Sequence, residues 1–355
     1  MLPRASLVFK GFVGAVLLLN IRSLPFAWHV RVWWPVFVLQ MRWAVYRLSF
    51  LFKSKEEKRR ARRGWVDSLS PVGWNPLLRD HRLKNWADLS DIDYNMHLSN
   101  SAYAKALDSA RMYAALDFFP GFLIAGGWIA LAATHFHFLR EIPMLAPYET
   151  RMSLVAWDQK WVFLVARFVT HPKKGAKPRR EQHGHVTEGA PIPTLHTPVN
   201  GVDTPANGGA TPLPGASDLK ALTAAVSSVE ADGALVNCIS VNQLVFKHGR
   251  VTVPPALVLA YDGFCHHAGD GLRERKYSHA NPPPHWEHVC AIRDKGPKAE
   301  AAFLRGGWRD VPEAERWWEE AFVGAQETIR TNLAKLMGVR EGLEGGRAVV
   351  AELFS

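Results

Sequence analysis

Asp91-Ile92-Asp93-Tyr94-Asn95-Met96-His97-Leu98-Ser99-Asn100 is a polar stretch dense in residues that make turns and start helices. Ser99 and Asn100 both suit the N-cap position. Residues 101–116 then place Tyr103, Ala106, Leu107, Ala110 and Ala114 at helical spacing, so one face is apolar and mostly small. Such a face lets a helix approach a sheet closely. Within the loop, Asp91, Asp93, Asn95 and His97 alternate, and in an extended chain they share one side. By spacing alone, Asp93, Asn95 and Asn100 read as turn and cap residues.

Strand-like runs follow the helix. Residues 128–138 are apolar and carry His135 and His137 on one face. That pair has metal-ligand spacing, but no third ligand accompanies it and no metal site is expected. Residues 148–157 and 161–170 flank Asp158-Gln159-Lys160, a compact hairpin signal. Residues 236–246 return to strand pattern ahead of the turn Lys247-His248-Gly249-Arg250. Between these runs, residues 171–217 contain eight Pro, many Gly and Thr and almost no large apolar side chain, the composition of a disordered insertion. Residues 219–229 suggest a short helix and residues 265–310 are irregular. Residues 312–337 set Trp318, Phe322, Ala325, Ile329, Leu333 and Leu336 at spacings of three or four, which predicts an amphipathic helix. A helix followed by antiparallel strands predicts an α+β fold, one curved antiparallel sheet around a central helix.

On the other side of the loop the chain changes character. Residues 1–63 hold thirteen Lys and Arg against Glu56 and Glu57 alone, so the net charge of +10 sits almost wholly in this segment. Residues 5–21 form an apolar run broken only by Lys10, and residues 23–41 and 43–52 add two more. A spanning helix needs about 20 apolar residues, a length the first run reaches only if Lys10 snorkels. Five of the fourteen Trp (Trp28, Trp33, Trp34, Trp43 and Trp65) lie in or just after this region, as at a membrane interface. The cluster Lys53-Ser54-Lys55-Glu56-Glu57-Lys58-Arg59-Arg60-Ala61-Arg62-Arg63 belongs on the cytoplasmic face by the positive-inside rule. These features predict a hydrophobic N-terminal anchor with the remainder cytosolic, at the endoplasmic reticulum ahead of the mitochondrion. No zinc-finger, RNA-recognition or helix-turn-helix signature accompanies the basic charge, so nucleic acid is not the expected partner. The three cysteines, Cys238, Cys265 and Cys290, make no CxxC pair and no disulfide framework. Beside His266 and His267, Cys265 reads as part of a turn.

The run from Asp91 to Tyr103 resembles the signature loop Asp-x-Asp-x-x-Gly-His-Val-Asn-Asn-x-x-Tyr of hotdog thioesterases of the 4-hydroxybenzoyl-CoA thioesterase superfamily. Leu107-Asp108-Ser109-Ala110-Arg111 is similar to that family's helix. The likeness is greatest to thioesterase superfamily member 6-like proteins and extends through Tyr148-Glu149-Thr150-Arg151, Trp157-Asp158-Gln159-Lys160 and Ala166-Arg167-Phe168-Val169, then loosely to Gln243-Leu244-Val245-Phe246. Met96 stands where the pattern has Gly, and Ser99 where it has the first Asn. Asp93, Asn95 and His97 also resemble the Asp-x-Asn-x-His set of plant acyl-carrier-protein thioesterases.

The resemblance implies a hotdog fold hydrolysing an acyl thioester, acyl-CoA or acyl-carrier-protein, without a cofactor. Asp93 would be general base or nucleophile, with Asn95 and His97 as its helpers. Asn100, Ser101 and Tyr103 would meet the substrate. Free N–H groups at the helix start would polarise the thioester carbonyl. A homodimer is implied by the same resemblance. The alternative is a catalytically silent hotdog domain that binds an acyl ligand or a protein partner at a membrane. The expected organisation is an anchor and basic segment over 1–63, a hotdog domain over 64–264 with an insertion at 171–217, and a C-terminal extension over 265–355 with its helix at 312–337.

Overall fold

Helix α4 (Asn100–Phe118) is the axis of the fold in a computed structural model that describes residues 2–172, 229–267, 269, 271 and 275–353. Its buried side chains include Ala102, Tyr103, Ala106, Leu107, Ala110, Ala114 and Phe118, the face expected from spacing. The four alanines bring the helix backbone close to the sheet, and the larger residues fill the space between. The sheet has five long strands, β1 (Asp80–Trp86), β2 (Gly127–Phe138), β3 (Pro147–Trp157), β4 (Trp161–Thr170) and β5 (Leu235–His248), and the short β6 (Val251–Val253). Its order is β1-β3-β4-β5-β2, every pairing is antiparallel, and β6 pairs with the end of β5. This is the hotdog arrangement of sheet and central helix.

Most strands lie within two residues of their expected positions. The turn at 158–160 is held by the Asp158 carboxylate, which accepts from the amides of Lys160 and Trp161 at 2.7 Å each. Strand β1 stops at Trp86, and beyond it the Asp88 side chain accepts from the Ser90 amide where the chain bends into a 3-10 turn. Strands β4 and β5 are neighbours, with Val169 opposite Val236. The insertion expected over 171–217 and the helix over 219–229 fall between these two strands in sequence and, apart from their outermost positions, lie outside the described residues.

The N-terminal segment forms α1 (Leu2–Leu19), α2 (Ala27–Leu48) and α3 (Lys55–Leu69). Among the described residues no helix is long and apolar enough to cross a membrane. Charged residues interrupt both apolar helices, Lys10 in α1 and Arg31, Arg42 and Arg47 in α2. The basic cluster, expected to be a juxtamembrane stretch, is the first half of α3. That helix starts with a capping box between Ser54 and Glu57 and runs through the expected boundary at residue 63.

Part of its charge is used inside the protein. Arg62 makes a two-pronged ion pair with Glu300, at 2.6 and 3.3 Å, and Arg63 pairs with Asp294. Glu300 is buried on α8 (Pro297–Leu304) and also accepts from the Tyr261 hydroxyl of α6 (Pro255–Tyr261) at 3.1 Å.

The C-terminal region shares the core of the sheet and α4. One continuous cluster joins Leu107 and Phe168 to Trp286, Val289, Leu304, Trp318, Phe322 and Ile329. The helix expected over 312–337 is instead broken. A 3-10 turn (Glu313–Glu315) and α9 (Trp317–Glu320) precede α10 (Gln326–Leu353), and Gly324 between them takes a left-handed φ of 93°. Periodicity persisted across the break because Trp318, Phe322, Ala325 and Ile329 all still face the core. Helix α10 lies along β3, where Asn332 donates to the Val155 carbonyl at 2.8 Å beside a bulge.

Arg293, on α7 (Trp286–Asp294), is the buried tie between these parts. It donates to Asp67 of α3 at 2.6 Å, to the Tyr261 carbonyl at 2.9 Å and to Ser70 at 3.4 Å. Beside it, Asp262 accepts from the amides of Gly121 and Phe122 at the start of α5 (Pro120–Ile124). Removing one member of a buried ionic cluster strands its partners without water. Arg293→Ala is therefore expected to destabilise the chain by roughly 3–5 kcal/mol in urea unfolding.

His285 gives the fold a pH dependence. Burial holds its imidazole down to about 4, with His288 adding to the effect against a backbone hydrogen bond to Ala260. Its ring stacks on Trp317 with centroids 6.1 Å apart. A depressed histidine contributes stability that is complete above the unfolded value of about 6.5 and is lost as pH falls toward 4, roughly 3 kcal/mol in total. His285→Phe, which keeps an aromatic ring on Trp317, should reduce the drop in melting temperature between pH 6.5 and 4.

Candidate active site

The residues ahead of α4 form a tight turn rather than an extended loop. Ile92 and Leu98 bridge, the Asp93 amide donates to the His97 carbonyl at 2.9 Å, and the Met96 amide donates to the Asp93 carbonyl at 3.1 Å. The Asp93 carboxylate closes the turn, with Oδ1 accepting from the amides of Asn95 at 2.9 Å and His97 at 3.2 Å. Met96 has a φ of 64° and so keeps the left-handed backbone at the position where the family pattern has Gly. The substitution therefore leaves the turn in place and adds strain to it. A second segment clamps the loop, since the Leu98 amide donates to Ile142 O at 2.8 Å and the Met144 amide to Met96 O at 3.0 Å.

This geometry joins some of the expected residues and separates others. Asp93 is half-buried at the base of the turn, while Tyr94, Asn95 and Met96 are exposed at its tip. His97 lies beneath them with Nδ1 3.2 Å from Glu141 Oε2, within ion-pair range but off the line of a hydrogen bond. Asp91, expected on the same side as Asp93, is buried and held by Lys105 Nζ at 2.7 Å. It is a strut, and its carbonyl receives the Ser99 amide.

The helix cap is Ser99, whose Oγ accepts from the Ala102 amide at 3.3 Å; Asn100, also suited to that role, is the first helical residue and is exposed. Ser101 is exposed on the first turn, with Oγ 3.2 Å from Ser99 Oγ. Tyr103 sits in the core, edge-on to Phe138 and Phe168 at 5.2 and 5.0 Å. The amides of Asn100 and Ser101 have no acceptor among the described residues, so the helix start presents two donors beside the turn.

Residues 88–190 match the model of the thioesterase-like superfamily, a span that opens at the Asp88 turn and takes in the loop, α4 and β2 to β4. This chain carries a domain of the thioesterase-like superfamily. Thioesterase lcsJ of Purpureocillium lilacinum is 26% identical over 207 residues, which is 48% of this chain and 64% of that protein. The match thus spans less than two thirds of that relative's own length. Protein THEM6 of Drosophila melanogaster is 30% identical over 83 residues, 22% of this chain and 43% of that protein. Among solved structures, the YbaW probable thioesterase of Escherichia coli has a TM-score of 0.30 at 8% identity, covering 51% of this chain and 94% of its own.

A cavity lies away from the turn. A chamber of about 620 Å³ lies along the later half of α4, lined from Asp108 to Phe119 and by α2, α3 and β2, and no residue of the 91–99 turn reaches it. The turn lies at the start of α4, and the chamber lining begins at Asp108, roughly 10 Å further along the same helix from Ser101. The turn sets a half-buried carboxylate beside the start of α4, and the chamber sets mostly apolar walls along its later half.

Two features of the chamber were hidden in the sequence. Trp33, Trp43 and Trp65 line it, although Trp in this region suggested a membrane interface. The clue was the spacing of Trp33, Val36, Gln40 and Trp43, which share one helical face. Arg111 also borders it, donating to Asn242 at 2.6 Å, Thr134 at 2.8 Å and Asp108 at 3.1 Å.

A left-handed φ costs an L-residue roughly 1–2 kcal/mol, part of which glycine returns through its freer unfolded chain. Met96→Gly should therefore leave the urea midpoint unchanged or slightly higher, and Met96→Val should lower the midpoint through a loss of roughly 1 kcal/mol or more of unfolding free energy.

Proposed function

We propose that this chain hydrolyses an acyl thioester, with acyl-CoA or acyl-carrier-protein as substrate and Asp93 as the reacting carboxylate. The observation that carries the proposal is the placement of Asp93 in a fixed turn directly ahead of the α4 N-terminus, inside the thioesterase-like domain. Attack on a thioester carbonyl moves negative charge onto its oxygen, and the Asn100 and Ser101 amides with the positive end of α4 suit that charge. The carboxylate attacks the carbonyl carbon itself or removes a proton from an attacking water. In the first route the thiolate leaves, takes a proton from solvent, and water then hydrolyses the acyl–Asp93 anhydride; in the second the proton taken from water passes from Asp93 to the departing thiolate. His97 and the Asn95 amide hold the turn, and the exposed Asn95 side chain is available to a water or to the substrate.

Two further parts of the proposal concern assembly and place. Edge strand β2 pairs with β5 on one side only, which supports a homodimer through its other edge. Exposed apolar side chains on α1 and α2, among them Phe12, Leu17, Trp34, Phe37 and Met41, stand near Lys10, Arg42 and Arg47. That combination supports attachment to an anionic lipid surface, with the endoplasmic reticulum as the proposed membrane and the domain on its cytosolic side.

The decisive measurement is hydrolysis of acyl-CoA esters of several chain lengths by the full chain and by Asp93→Asn. The asparagine keeps a side-chain oxygen for the two amides of the turn, so the fold should persist while the carboxylate is lost. A fall in kcat of roughly 100-fold or more is expected. Equal rates for the two proteins would overturn the role of Asp93.

A further inference from the structure

The turn chemistry leaves the chamber on α4 unexplained. Its floor is the sheet, through Met152, Leu164 and Leu244, and its wall is α4, through Met112 and Ala115. Its roof is supplied by α2 and α3, through Trp33, Trp43 and Trp65. The roof helices precede the span that matches the thioesterase-like superfamily, so the chamber is closed by a part of the chain outside that match.

The roof is held in place. Trp43 and Trp65 join α2 to α3 with ring centroids 4.7 Å apart, and the Arg62–Glu300 pair ties α3 to the C-terminal region. The lining is apolar except for Gln40, Arg62, Asp108 and Arg111. Arg62 is already paired with Glu300, and Arg111 with Asp108, Thr134 and Asn242. The cations on the lining thus already have partners, and what remains is a water-excluding apolar wall.

A void of this size with apolar walls forfeits dispersion contacts unless something fills it. Its volume of about 620 Å³ is that of a small-molecule site. The lining follows α4 from Asp108 to Phe119, a rise of roughly 16 Å, which suits an elongated apolar ligand. Trp33, Trp128 and Leu131, all lining residues, are also exposed, so the mouth lies between α2 and edge strand β2.

We propose that the chamber holds the hydrocarbon tail of a long-chain acyl group, and that Trp33, Trp43 and Trp65 on the N-terminal helices set the chain length it accepts. The identification of the occupant as an acyl tail rests on the thioesterase reading above. In the chamber, affinity rises with each methylene that leaves water, by about fourfold per carbon, until the wall is reached. Helices α2 and α3 thereby become a specificity device appended to the domain.

The test uses the full chain and two readouts, one of them independent of turnover. Palmitate carrying a nitroxide on its tail should quench tryptophan fluorescence saturably, because three Trp line the roof. Ala115→Trp, which fills the chamber from α4, should weaken that binding at least tenfold. The same variant should lower the ratio of kcat/KM for palmitoyl-CoA over butyryl-CoA at least tenfold. Trp65→Ala, which enlarges the chamber, should move the optimum to longer chains and carries the test if Ala115→Trp fails to fold by circular dichroism. Palmitate binding that Ala115→Trp abolishes, in a chain that hydrolyses no thioester, would support the chamber and overturn the hydrolase. Hydrolysis with no palmitate quenching, and with a chain-length ratio indifferent to both variants, would support the hydrolase and overturn the chamber.

Discussion

The close seating of α4 on the sheet is the contact on which everything else depends. Ala102, Ala106, Ala110 and Ala114 give the helix a face thin enough to pack closely on the sheet, where it meets β1 and β3. A larger side chain at any of them would push the helix outward and open the core, since interiors are packed too tightly to absorb extra volume. Both functional features hang from this one helix. Its first turn presents free amides to the Asp93 turn, and its last three turns make a wall of the chamber. A shift of the helix along the sheet would move both together.

The segments before and after the thioesterase-like match are part of the same body. Arg293 and Glu300 reach from the C-terminal helices to Asp67 and Arg62 of α3, and Asp262 holds the start of α5. Complete burial pushes the Asp262 carboxyl up to about 7, against the nearby Arg293 and its two amide donors. Buried polar clusters of this kind hold their members in one arrangement because every alternative leaves a charge without water or a partner. The roof of the chamber is thus fixed from outside by the C-terminal region. The N-terminal helices are unusual in being apolar on more than one face, with one set of side chains on the chamber and another exposed.

Much of the fold was legible because local rules and tertiary packing agreed. The strands at 128–138, 148–157 and 161–170 follow from alternation and from the Asp158 turn, and α4 follows from its alanine spacing and cap. The C-terminal helix was misjudged because apolar periodicity ran across the Gly324 break, where a left-handed glycine turns the chain while its neighbours stay in the core. That Trp33 and Trp43 line the chamber was not readable, because an exposed Trp and a cavity-lining Trp have the same local sequence. In the candidate site, the spacing of Asp93, Asn95 and His97 was readable, but their arrangement was not. An alternating pattern suggests one shared side, whereas backbone hydrogen bonds fold the same residues into a turn with Asp93 at its base.

What the sequence determined by itself is therefore the local chemistry: a carboxylate ahead of a capped helix, a small-residue helix face and a run of alternating strands. These depend on residues within a few positions of one another, and side-chain size, turn preference and capping act over that range. Only the tertiary structure decided that Asp91 pairs with Lys105, that Tyr103 belongs to the core, and that basic residues of α3 pair with carboxylates more than two hundred positions away. It also decided that an apolar chamber is lined by α2 and α3 and lies away from the Asp93 turn. Charge partners and cavities are made by segments distant in sequence, and no local pattern encodes which of them will meet.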